Sequence, residues 1–207
     1  MDQIFVIQAF FFVIIIFSSV IHEYAHGWMA DRLGDPTARL SGRLTINPLV
    51  HIDPVGTFMV PAALFLFSGG RFLFAWAKPV PVNPFNLKNI RFGTGGVAFA
   101  GPASNILMAL IFGMMIRFLD AGQFSEFLAI IVYANLLLAV FNLVPIPPLD
   151  GSKILFAILP SQFNDLKIYF EAYGWVLLLF FALFFFNLLI PIIEFLFELI
   201  TGQNILM

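Results

Sequence analysis

Val20-Ile21-His22-Glu23-Tyr24-Ala25-His26 interrupts a run that is otherwise apolar enough to cross a bilayer, and its reading decides the fold. Residues Ile4 to Ile21 carry no charge, which is long enough for a membrane span. His22, Glu23 and His26 then arrive together, ahead of the polar Asp31-Arg32. Ionisable groups at that depth are costly and mark function. On a helix, His22 and His26 lie one turn apart on one face, so both imidazoles reach a single metal ion. Glu23 is adjacent and placed to take a proton from a metal-activated water. The chain's own His and Glu frequencies give roughly 0.001 chance matches to H-E-x-x-H. One zinc ion per chain is therefore expected. The competing reading pairs Glu23 with Arg32 or Arg39 and leaves both histidines as structural groups satisfied by neighbouring helices.

Composition supports the membrane reading. The chain has 207 residues, 61% of them hydrophobic, with 28 Phe and only 11% charged. An ordinary soluble domain carries about 25% charged residues. Several uncharged runs near span length predict an all-α polytopic membrane protein, one domain over residues 1–207. Its architecture is expected to be about four full spans plus a re-entrant hairpin and short loop strands. The net charge of −2 says little, because in a membrane protein the placement of Lys and Arg outweighs their sum. No nucleic-acid partner is expected. Without cysteine, disulfides and thiolate ligands are excluded. The start Met1-Asp2-Gln3 lacks a basic n-region and no A-x-A-like site follows, so the first helix is expected to be retained.

Outward from the motif, the first helix should run from about Ile4 to Ala30. The loop Asp31 to Asp53 follows, with Ala38 to Ile46 alternating loosely enough to pair as a strand. His51 is the one histidine outside the motif; it could contact the metal, a substrate carbonyl or a water, or be structural. Val55 to Phe67 is apolar but reaches only about 20 Å as a helix, against a core of about 30 Å. Val55 to Ala77 is therefore read as a re-entrant hairpin. The proline-rich Lys78 to Pro84 serves as a connector or as an extended edge for substrate. Val97 to Phe118 spans, opening on Gly101-Pro-Ala-Ser-Asn105; the small residues allow close helix approach and Asn105 offers a polar contact at the seam.

Phe127 to Leu149 is the next uncharged run, and Pro145, Pro147 and Pro148 must break it. Asp150 is thereby expected on irregular backbone at membrane depth, where a carboxylate needs a cation. As third metal ligand Asp150 ranks first and His51 second; Arg32 occupies the place where a longer histidine motif would continue. Ser152 to Pro160 reads as a short helix. Ala172 to Ile193 spans again, kinked at Pro191, and Glu194 to Met207 is an amphipathic or fraying tail. If the hairpin returns to its own side, Asp150 emerges at the face and depth of His22 and His26. Every Lys and Arg except Arg117 then falls on that side, which the positive-inside rule makes cytosolic.

Together, His22-Glu-Tyr-Ala-His26, Gly101-Pro-Ala-Ser-Asn105 and Asn142-Leu-Val-Pro-Ile-Pro-Pro-Leu-Asp-Gly151 resemble the site-2 protease family of intramembrane zinc metalloproteases. The resemblance implies that His22, His26 and Asp150 bind zinc and that Glu23 is the general base. It also implies that Asn142 helps hold substrate or the oxyanion. The chain looks like the short branch of that family, without a PDZ or nucleotide-binding domain. His51-Ile-Asp-Pro-Val-Gly56 and the hairpin depart from the simplest family core. The expected activity is hydrolysis of peptide bonds within or near transmembrane segments of membrane-protein substrates, the bilayer being the other partner. A metal transporter is the rival from another class, but transporters build midplane sites from repeated halves, and no repeat is visible. A scaffold with structural zinc is the second rival, and it has no use for Glu23.

Overall fold

A computed structural model describes residues 3–59, 63, 66, 78–119 and 122–204. The long helices are α1 (Gln3–Leu33), α3 (Ile90–Phe118), α4 (Ser125–Asn142) and α6 (Asn164–Phe184). All four are long and apolar enough to cross a membrane. Shorter helices are α2 (Thr37–Leu40), α5 (Asp150–Ile158) and α7 (Ile190–Thr201).

The bundle is organised around α3, which packs against α1, α4, α5 and α7. Its buried face is made of small residues, among them Gly95, Ala98, Gly101 and Ala109. Between apolar helices in lipid there is no water to expel, so close van der Waals contact does the holding. Asn89 starts α3 by accepting the Phe92 N–H at 2.9 Å. Arg91 then ties α3 to the far end of α5, donating to the carbonyls of Ala157, Ile158 and Leu159. These are orphan carbonyls at a helix C-terminus, where a cation is favourable.

Helices α1 and α3 are antiparallel. The Ser18 carbonyl faces Asn105, His26 faces the Val97 carbonyl, and Leu33 accepts the Lys88 N–H at 3.1 Å. The connection from Gly34 to Asn89 therefore leaves and returns at one end of the bundle. At the other end Phe10 meets Phe127 edge-on at 5.0 Å, and Arg117 donates to Leu199 O at 2.8 Å.

Several expectations are corrected. Residues 38–46 form no strand, and none occurs among the described residues. The Asp35 side chain accepts from Thr37 N and Thr37 Oγ1, which closes a helical turn where a strand would have needed a partner edge. Apart from a π-helical turn at Pro54–Met59, the expected hairpin at 55–77 lies mostly outside the described residues. Asp150 is not on irregular backbone but opens α5; the irregular stretch is 143–149. Pro191 does not kink a continuous span. The chain breaks at 185–189 and restarts as α7 with Pro191 in its first turn, where a missing N–H costs nothing. The expected tail is thus a core helix: Ile193 and Phe197 are buried with Ala109, Val132 and Leu136. Phe186 lies 6.2 Å from Phe141, and Ile200 reaches Gly113, so α7 carries the chain on toward the Arg117 end.

Candidate metal centre

His22 and His26 project from α1 with ring centroids 4.5 Å apart and nearly perpendicular. Asp150, the first residue of α5, places Oδ2 at 3.1 Å from both Nε2 atoms. All three side chains are buried. Ligand atoms of His22, Glu23 and His26 lie within 4.8 Å of one another. The outer edge of the site is Lys153, whose Nζ is 3.6 Å from Asp150 Oδ1.

The remaining ring nitrogens decide what fits. His26 Nδ1 faces the Val97 carbonyl at 2.7 Å, and His22 Nδ1 faces Asn105 Oδ1 at 2.6 Å. Each partner accepts only, so each ring carries a proton on Nδ1 and, as a neutral imidazole, turns an Nε2 lone pair inward. Two lone pairs and a carboxylate oxygen then converge with no donor among them. That arrangement is repulsive unless a cation sits between. Ligands bonded to a tetrahedral zinc at about 2.0–2.2 Å stand about 3.3 Å apart, close to the spacing found. Two histidines and one carboxylate would hold a zinc ion one ligand short of a closed structural set, as catalytic sites do.

Two glycines make room for it. A Cβ on Gly101 would stand 2.4 Å from His26 Nε2 and 2.5 Å from His22 Nε2. A Cβ on Gly151 would stand 2.2 Å from the Leu143 carbonyl oxygen, so only glycine lets the first turn of α5 close against the irregular stretch and hold Asp150 in place.

Glu23 is half-buried, and its Oε2 accepts the Val80 N–H at 2.8 Å. Val80 belongs to the proline-rich strap, which is fastened on both sides. Arg43 donates to the carbonyls of Lys78 and Pro79, and Lys78 N donates to His51 O. Beyond Val80, buried Asp35 accepts from Asn83 N and Asn86 Nδ2. Burial alone pushes the Asp35 carboxyl up, but the bonds from Thr37, Asn86 and Asn83 outweigh it and hold the group below its ordinary value.

The structure thus brings together His22, His26, Asp150 and Glu23. His51 stands apart, its buried ring donating from Nε2 to Thr45 O. Asn142 ends α4, and its amide donates back to Leu138 O at 2.9 Å. Sequence reasoning passed over Val80 and Asn135, and read Gly101 only as a helix-packing residue. The Gly-Pro-Ala-Ser-Asn stretch signals close approach of some neighbour, but nothing in the sequence names the imidazoles as that neighbour.

Apolar helices of spanning length, with two buried histidines, a buried aspartate and a half-buried glutamate gathered among them, define the class: a polytopic membrane protein with a candidate metal site. A model of peptidase family M50 matches residues 117–186, which include Asp150. The chain is 36% identical to the candidate zinc metalloprotease YwhC of Bacillus subtilis, over 80% of this chain and 76% of that protein. It is 39% identical to the candidate zinc metalloprotease MJ0611 of Methanocaldococcus jannaschii, over 66% and 63% of the two chains. A 30% match to the candidate zinc metalloprotease Rip2 of Mycolicibacterium smegmatis covers 65% of this chain and 51% of Rip2. No solved structure gives a significant match. The chain belongs to peptidase family M50, the site-2 proteases, a family of zinc metalloproteases.

Proposed function

We propose that the chain is a zinc-dependent intramembrane endopeptidase that hydrolyses peptide bonds within or near transmembrane segments of other membrane proteins. The observation that carries this is the donor-free convergence of His22 Nε2, His26 Nε2 and Asp150 Oδ2 beside Glu23. Those three residues hold the metal. Zinc bound there supplies Lewis acidity, bringing the pKa of a water toward about 7 and polarising a carbonyl. Glu23 takes the proton of the attacking water and returns it to the leaving amine. With Oε2 engaged by Val80, the second carboxylate oxygen is the one left to take that proton.

A substrate helix must unwind first, because its carbonyls are already bonded. An extended substrate lies along the strap at 78–86 or the loop at 38–46. The strap has little left to donate: Pro79, Pro81 and Pro84 carry no N–H, while those of Val80 and Asn83 go to Glu23 and Asp35. Substrate pairing there displaces Val80 from Glu23. Asn142 holds the substrate or its oxyanion by turning its amide away from Leu138. The active site faces the cytosol: Arg32, Arg39, Arg43, Lys88, Arg91 and Lys153 belong to the segments at the metal's end, and Arg117 lies at the other.

The test uses purified protein in bilayers with a model membrane segment. The parent should bind one zinc per chain and cleave. Glu23→Gln should keep its zinc and lose about 100- to 10,000-fold in rate. Equal cleavage by the variant sinks the mechanism.

A further inference from the structure

Behind His22, away from the metal position, lies a buried line of amides that the reaction itself does not use. Asn105 on α3 and Asn135 on α4 have no solvent exposure. Asn135 Nδ2 donates to Ile131 O at 2.9 Å, and a backbone carbonyl can only accept. That fixes which way the Asn135 amide points, so its Oδ1 faces Asn105. Asn105 must answer with its NH2 group, donating to Asn135 Oδ1 at 3.0 Å and to Ser18 O at 3.4 Å. Its Oδ1 is left facing His22 Nδ1 at 2.6 Å. Each amide is polarised by the one behind it, and none can flip without leaving two buried groups unpaired.

We propose that Asn105 and Asn135 form a two-amide positioning relay that fixes the proton of His22 on Nδ1 and so presents the Nε2 lone pair to the metal. The relay starts at a main-chain carbonyl of α4 and ends at a metal ligand on α1, so the ligand's tautomer is set by a helix that contributes no ligand. His26 obtains the same result directly from the Val97 carbonyl. The inference rests on the zinc assignment to His22, His26 and Asp150.

The experiment measures zinc affinity by chelator competition in detergent, alongside the melting temperature of the metal-free protein. Asn105→Ala should weaken zinc binding about 10- to 100-fold. Asn105→Asp keeps an acceptor facing His22 but gives up the donor to Asn135 and Ser18, and should recover part of that loss. Asn135→Leu leaves the Asn105 amide unoriented and should lose less than Asn105→Ala; the double variant should lose no more than Asn105→Ala alone. Parental affinity in Asn105→Ala overturns the relay, as do additive losses or an Asn105→Asp as weak as Asn105→Ala. If Asn105→Ala does not fold, the Asn105→Asp and Asn135→Leu affinities decide. A parent that binds no zinc defeats the metal assignment itself, a result distinct from any of these.

Discussion

At the scale of single residues, the candidate metal site is made by side chains converging from α1 and α5 and by a glycine of α3 that clears the space between them. His22, Glu23 and His26 need only a helix to converge, and Asp150 needs only a cation to justify its depth. Gly101 was not legible in this way, because an absent side chain does not say what fills its place. It makes the sharpest residue-level prediction. Gly101→Ala sets a methyl against both Nε2 atoms, 2.4 and 2.5 Å away, where neither ring has slack because each Nδ1 is already held. Zinc content should fall below about a tenth of an equivalent, with helicity by circular dichroism unchanged. Stoichiometric zinc in that variant refutes the steric account. Val80 was also hidden, since a backbone N–H bonded to Glu23 across 57 positions leaves no trace in composition or period.

Among elements, periodicity and breakers served the long helices well and the loops badly. The alternation over 38–46 suggested a strand, but two bonds from Thr37 to Asp35 settle the local backbone first. The same Asp35 fastens the strap, and this gives the loop region a pH dependence. Its carboxyl titrates below its unfolded value, so the stabilisation is full above a pH of about 3.9 and fades as the pH falls through the lower folded-state value. Asp35→Asn should cost about 1–3 kcal/mol at neutral pH. The gap to the parent should narrow in melts taken well below pH 4. A gap constant across that range counts against the carboxylate as the fastener. The reading of a tail from Glu194 failed as far as Thr201 for a related reason: Pro191 ends a period, and only packing shows that the next helix re-enters the core.

For the whole molecule, the four spanning runs in the sequence match the four long apolar helices among the described residues. Helix α1 starts beside Phe127, and α7 finishes beside Arg117. The chain has no cysteine, so single cysteines introduced at Leu40, Phe124 and Gln203, all exposed, report sidedness cleanly. Leu40→Cys should react with an impermeant reagent from the cytosolic side, Phe124→Cys and Gln203→Cys from the other. Labelling of positions 40 and 203 from one side contradicts the arrangement. The broken passage through α6 and α7 has a practical consequence for assays. It brings Thr201 to the same end as Gln3, about 28 Å of α1 from His22 and about 18 Å of α3 from Gly101. A reporter or affinity handle joined near either position lies at the end of the bundle opposite His22, His26 and Asp150, where it leaves the candidate metal site untouched.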